Sequence, residues 1–307
     1  MKRNIPTVDL STFVNGDAES RAAFITKLGE AFSSVGFVGV VNHGVPQSLI
    51  DDFYSVSKSF FALPVDTKRK YEVKNLAGQR GYTSFGKEHA KHTDVADLKE
   101  FFQIGQDDQI ANVQVAERPA FLELGTELFE TFEKTGAALL RAIAIYLDLE
   151  ESYFDNRIEN GNSIIRTIHY PPITKEPESA IRAEQHEDIN LITLLVGASA
   201  GGLQLLDKQN EWVDVMPEHN EIVVNVGDML QRLTNNYMCS TTHRVVNPPR
   251  EQWNLPRLSI PFFLHPRGEM DLTSLDSCVT NERPLAYEPI TAGGYLDQRL
   301  REIGLKK

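Results

Sequence analysis

The chain is poor in several things that would narrow its class at once. Only two of its 307 residues are cysteine, Cys239 and Cys278, too few for a disulfide framework or a cysteine zinc site. No apolar run approaches the roughly 20 residues that a membrane-crossing helix needs. The opening MKRNIPTVDL sets Pro6 and Asp9 where a signal peptide carries an apolar stretch. Positive charge is also short: 31 Lys and Arg stand against 43 Asp and Glu, a formal charge of −12. A polyanion does not attract such a protein, so neither nucleic acid nor an anionic membrane is expected as a partner. No repeat and no low-complexity tract is visible. A soluble, cytoplasmic protein is the expectation, and nothing in the chain speaks to its oligomeric state.

What is present is ordinary globular material, 41% hydrophobic and 24% charged. The length allows one large domain or two smaller ones. The N-terminal third alternates helix and short strand. ESRAAFITKLGEAFSSVG puts Phe24, Ile25, Leu28, Ala31 and Phe32 at helical spacing before Gly36. FVGVVNHGV reads as a short buried strand, and residues 46–64 as a helix bracketed by Pro46 and Pro64. Residues 75–99 are polar and irregular and are expected to form a long loop. A third helix is predicted from about Ala120 to Leu147.

From Ser163 the pattern changes to seven β-rich runs separated by Gly, Pro, Asn and Asp: SIIRTIHY, NLITLLVG, GLQLLD, WVDVMP, EIVVNVGD, HRVVN and LSIPFFLHP. Their close spacing predicts a mainly β fold, a sandwich or barrel, with flanking helices. The tail GGYLDQRLREIGL returns to helix.

Two of these runs open on a histidine. In AEQHEDINLITLL, His186 and Asp188 are two apart and would share one face if the strand begins there. His243 opens HRVVNP in the same way. Two imidazoles and one carboxylate on one side of a metal form the facial triad of non-haem Fe(II) oxygenases. An octahedral ion so held keeps three positions for a bidentate co-substrate and oxygen. The competing reading is a polar strand end. Downstream, Arg257 and Ser259 are again two apart, a guanidinium and a hydroxyl fit to grip a carboxylate; a surface ion pair is the alternative. Tyr170, in HYPP, could reach that carboxylate or simply pack beside the Pro-Pro turn.

Together these motifs resemble the isopenicillin N synthase-like group of Fe(II)/2-oxoglutarate-dependent oxygenases. HYPP, HEDINLITLL, GGLQLL, VVNVGDMLQRLTNN, STTHRVVNP and RLSIPFFLHP stand in that family's order and intervals. IPTVDL, GFVGVVNHGVP and SFFALPVDTKRKY look like its first region, so the likeness spans nearly the whole chain. It implies a double-stranded β-helix (jelly-roll) core over 160–270, an N-terminal region 1–115 packed on it, and a C-terminal extension with a helix over 271–307.

The resemblance also implies roles. His186, Asp188 and His243 match the iron ligands, Arg257 and Ser259 the pair that binds the distal carboxylate of 2-oxoglutarate, and Tyr170 a tyrosine near that co-substrate. The implied reaction uses O2 to oxidise an unactivated C–H bond of a small molecule, by hydroxylation, desaturation or ring closure, releasing succinate and CO2. Plant members often carry Asn where this chain has Ile168. Arg166 instead resembles bacterial members, including an ethylene-forming branch, and could bind a substrate carboxylate or pair with a core carboxylate. A same-family oxidase that does not use 2-oxoglutarate, an ethylene- and succinate-forming enzyme and a non-catalytic ligand-binding barrel are the other readings.

Other conspicuous residues have plain explanations. Gly201-Gly202 and Gly227-Asp228 read as turns, Asn225 and Asn235-Asn236 as satisfiers of backbone, Phe262 and Phe263 as core, and Trp212 as barrel exterior. The segment from Gly81 and Tyr82 through Lys87 to His92 is either a rim of the substrate entrance or, on the simpler view, a solvated loop.

Overall fold

A computed structural model describes residues 5–76, 78–89, 95–107, 110–196, 201–218 and 220–302. In chain order the first strands and helices are β1 (Thr7–Asp9), α1 (Leu10–Val14), α2 (Ala18–Ser34), β2 (Phe37–Val41), α3 (Gln47–Phe61) and α4 (Val65–Arg69). Then come β3 (Gly81–Thr83), β4 (Glu100–Gly105), α5 (Ala120–Tyr146), α6 (Asp155–Ile158), β5 (Ile164–Tyr170), β6 (Ala183–His186), β7 (Ile192–Val196) and β8 (Leu203–Leu206). The rest are β9 (Trp212–Asp214), β10 (Ile222–Val226), α7 (Asp228–Leu233), β11 (His243–Val245), β12 (Arg257–Leu264) and α8 (Ala292–Glu302). Among the described residues no helix is long and apolar enough to cross a membrane.

The strands form two sheets, one of eight in the order β1-β2-β10-β7-β12-β5-β4-β3 and one of four in the order β6-β11-β8-β9. This is the sheet-rich jelly-roll core with flanking helices, and all seven predicted β-rich runs contribute a strand. The N-terminal region does more than pack against it. Its four strands extend both edges of the large sheet, β2 pairing with β10 and β4 with β5.

Alternation on β12 shows how one strand serves two purposes. Leu258, Ile260, Phe262 and Leu264 face the helical layer and its large apolar cluster. Phe262 stacks on Phe132 of α5, with centroids 5.4 Å apart, and meets Phe129 edge-on at 5.2 Å. Helix α5 lies so close that a Cβ on Gly136 would stand 2.5 Å from Leu264 Cδ1. The opposite set, Arg257, Ser259, Pro261, Phe263 and His265, lines a cavity between the sheets. Phe263 therefore departs from its expected place in the core, because period two turns it inward to the cavity while Phe262 keeps the helix side.

Two further expectations change. AEQHEDINLITLL is not one strand: β6 ends at His186 and β7 begins at Ile192, so Asp188 sits in the connection between them. The described residues of the segment 75–99 do not form a solvated loop, and Glu88 and His89 line the cavity. The segment contains β3, and Arg80, Thr83, Ser84, Glu88, Asp97 and Lys99 are buried. His92 and His219 lie outside the described residues.

Candidate metal and co-substrate site

His186 and His243 face each other in register across β6 and β11, their ring centroids 4.5 Å apart. Asp188 reaches the same point from its connection, which is pinned where the backbone N–H of Asp228, at the start of α7, donates to the Asp188 carbonyl at 2.7 Å. Gly227 permits this approach, since a Cβ there would lie 2.2 Å from the Asn190 carbonyl oxygen. The Gly227-Asp228 pair is thus a clamp on the site rather than a simple turn.

The donor atoms are arranged for a cation. Asp188 Oδ1 stands 4.0 Å from His186 Nε2 and 3.8 Å from His243 Nε2. Each ring's Nδ1 lies against a backbone carbonyl, Glu184 at 2.6 Å and Thr241 at 3.1 Å. A carbonyl only accepts, so both Nδ1 atoms carry a proton, and it is the Nε2 atoms that face Asp188. The other carboxylate oxygen, Oδ2, accepts from Thr193 Oγ1 at 2.6 Å and Asn225 Nδ2 at 2.8 Å. One ligand atom from each of the three residues lies within 4.8 Å of the other two. Burial would raise the Asp188 carboxyl, but the two imidazoles and the Asn225 and Thr193 bonds hold it below its ordinary value. Burial and the neighbouring His243 lower the His186 imidazole. A carboxylate oxygen and two imidazole Nε2 atoms converging on one point suit a divalent ion.

Asn225 corrects its expected role: its amide serves the carboxylate of Asp188. The signal in VVNVGD was that Asn interrupts an apolar run at an inward position of β10.

Farther along β12, Arg257 is 2% exposed and donates through Nη1 to Ser259 Oγ at 3.1 Å. Tyr170 on β5 pairs with Arg257 in register, its ring centroid 4.9 Å from the guanidinium carbon. Arg182, equally buried, lies 5.9 Å from the same ring. Burial, then the charge of Arg257, pulls the Arg182 guanidinium down to about 10. This corner offers buried positive charge and hydroxyls, the complement of a carboxylate.

At the opposite end only Arg166 and, as one reading, the stretch from Lys87 to His92 were expected near a substrate. The Arg166 guanidinium donates through Nε to Gln103 Oε1 at 2.7 Å and pairs through Nη1 with Glu88 at 3.2 Å. Lys99 joins Glu88 and Asp97, each at 2.7 Å. Burial would raise the Glu88 carboxyl, but Arg166 and Lys99 draw it down to about 2. The remaining histidines have separate fates. His43 Nδ1 accepts from the Val45 N–H, His169 bonds Glu100 at 2.8 Å, and His89 and His265 line the cavity.

Comparison with known proteins agrees along most of the chain. Residues 161–266 match the 2OG-Fe(II) oxygenase superfamily, and residues 5–122 match the non-haem dioxygenase in morphine synthesis N-terminal family. The chain is similar to the 2-oxoglutarate-dependent dioxygenase ecdK of Aspergillus rugulosus, 32% identical over 97% of this chain and 98% of that protein. Among solved structures it is similar to a 2OG-Fe(II) oxygenase family protein of Caulobacter crescentus, with TM-score 0.88 and 42% identity over 98% and 100% of the two chains. The T7H protein of Neurospora crassa in complex with alpha-KG and thymine gives TM-score 0.88 and 30% identity over 97% and 96%.

Proposed function

We propose, because the chain belongs to the 2OG-Fe(II) oxygenase superfamily, that His186, Asp188 and His243 hold Fe(II) and that Arg257, Ser259 and Tyr170 receive 2-oxoglutarate. The enzyme is a non-haem, 2-oxoglutarate-dependent dioxygenase acting on a small molecule. The bound iron, with 2-oxoglutarate and O2, supplies oxidation of an unactivated C–H bond, and the co-substrate leaves as succinate and CO2. The observation that carries the assignment is the approach of two Nε2 atoms to one Asp188 oxygen, at 4.0 and 3.8 Å, with both Nδ1 atoms engaged elsewhere.

The chain's own residues do the positioning. Asn225 and Thr193 fix one oxygen of Asp188 and leave the other for the ion. Arg257 and Ser259 grip the far carboxylate of 2-oxoglutarate, with Tyr170 beside it. The buried walls of the cavity keep water from the reacting centre. We further place the chain on the bacterial side of the isopenicillin N synthase-like group, supported by 42% identity to the Caulobacter structure. We assign the co-substrate and iron chemistry to 160–270, and the closing walls to 1–115 and 271–307. A cytoplasmic setting suits the two free cysteines, Cys239 and Cys278.

The test is turnover of 2-oxoglutarate to succinate without added substrate. His186→Ala is expected to abolish it. Full turnover in that variant contradicts the assigned triad.

A further inference from the structure

Two deeply buried cations, Lys68 and Lys99, each meet a carboxylate at 2.7 Å. Arg182 is at least as deep, 2% exposed, and makes no ion pair among the described residues. Its Nη2 donates to the Leu255 carbonyl at 3.0 Å, and its Nε has no partner. The charge acting on it most strongly is that of Arg257, a like charge. The carboxylates lining the cavity are engaged elsewhere. Lys99 takes Glu88 and Asp97, the Thr242 hydroxyl donates to Glu187, and Asp188 belongs to the triad. Arg166 pairs with Glu88 and Arg299 with Glu302, so those cations bring their own counter-charge. Arg182 brings none.

An interior cation that has lost water and gained no opposite charge is costly. Its surroundings indicate where a counter-charge would come from. Tyr170 lines the cavity, and its ring centroid stands 4.9 Å from the Arg257 guanidinium carbon and 5.9 Å from that of Arg182. Arg182 is not part of the cavity wall; it lies behind that ring. An anion held by Arg257 and Ser259 is therefore in the field of a second positive charge that it does not touch. In a low-dielectric interior such a charge acts across several ångströms.

We propose that Arg182 is a positioning and specificity residue for the co-substrate, a second cation behind Tyr170 that makes this corner demand a charged far end. A 2-oxo acid with a second carboxylate gains from both guanidiniums. One that ends in a methyl group gains from neither and leaves Arg182 without a counter-charge. The inference rests on the co-substrate reading above. The competing role is purely structural: through the Leu255 carbonyl, Arg182 would fix the start of β12.

Arg182→Met separates the two roles, since it removes the charge and keeps an apolar stem. Anaerobic calorimetry on the Fe(II)-loaded proteins measures 2-oxoglutarate directly. Displacement measures 2-oxopentanoate, the same carbon chain ending in a methyl group. The variant is expected to bind 2-oxoglutarate about tenfold more weakly and 2-oxopentanoate within about twofold of the wild type, with Fe(II) affinity unchanged. Without either ligand it is expected to unfold at the wild-type temperature or above, because a buried cation without a counter-charge is gone. Unchanged 2-oxoglutarate affinity, equal weakening of both acids, a lower unfolding temperature or failure to fold overturns the proposal. Should 2-oxopentanoate bind neither protein, the 2-oxoglutarate and stability measurements decide. A wild type that does not bind 2-oxoglutarate defeats the co-substrate reading itself. Wild-type binding that is lost in Arg257→Ala and kept in Arg182→Met defeats this inference alone.

Discussion

Along the cavity face of β12, Arg257 and Ser259 occupy one end and Phe263 and His265 the other. The first end is made by neighbours in sequence, two side chains two residues apart on one strand with Tyr170 directly opposite. The second is made by partners far apart in the chain. Arg166 meets Glu88 across 78 positions, and Gln103 across 63. Both ends bury charge, but they use it differently. The Arg257 corner sets a guanidinium beside the Ser259 hydroxyl and the Tyr170 ring, the arrangement proposed to receive a carboxylate, whereas the Arg166 corner holds Glu88. Under the proposed roles, 2-oxoglutarate would point its far carboxylate toward Arg257 and Ser259, since Arg166 is already paired with Glu88.

The largest effect expected outside the triad is therefore at the Arg257 end. Arg257→Ala should cost about 2–5 kcal/mol of 2-oxoglutarate binding, because the fork that grips a desolvated carboxylate is gone. Calorimetry of 2-oxoglutarate against the iron-loaded variant measures it. Unchanged affinity would mean that the two ends are not distinguished by this residue.

A smaller loss is expected from Asn225→Ala, which removes one of two bonds to Asp188 Oδ2 and leaves Thr193 in place. Outer partners of a metal-binding group are typically worth about 10–100-fold in metal affinity. Anaerobic Fe(II) titration reads this directly. An affinity equal to that of the wild type would show that Thr193 alone orients the carboxylate.

The last effect belongs to the Arg166 end and concerns stability, not binding. Burial holds the native His265 imidazole at about 4, below its ordinary 6.5. As pH falls from about 6.5 to 4 the unfolded chain takes up a proton that the native protein refuses, so His265 contributes stability above this window and loses it within the window. His265→Asn should flatten the decline, by up to about 1.4 kcal/mol per pH unit. Denaturant midpoints across that range, compared between the two proteins, test it. Parallel curves would place the titration elsewhere.

The same contrast explains what could be read before the structure. The seven β-rich runs, α5 and the β12 pair Arg257 and Ser259 depend on local period and spacing, and the strands and helix stand where those patterns indicate. The residues of the triad were legible as types and order, though the strand drawn through Asp188 was not: Glu187 to Leu191 turn out as a connection whose shape depends on α7. The pairings of Asn225, Glu88 and His265 were not legible for a common physical reason. Each takes its meaning from a side chain or cavity supplied by a distant segment, and no local spacing records that pairing. Phe263 differs, because strict alternation from Arg257 already put it on the cavity side.

The account stands most directly on Fe(II) binding under anaerobic conditions, compared between the wild type and His186→Ala. One ferrous ion per chain in the wild type, with affinity lost or sharply reduced in the variant, is the predicted result. Equal stoichiometry and affinity in the two proteins would contradict it.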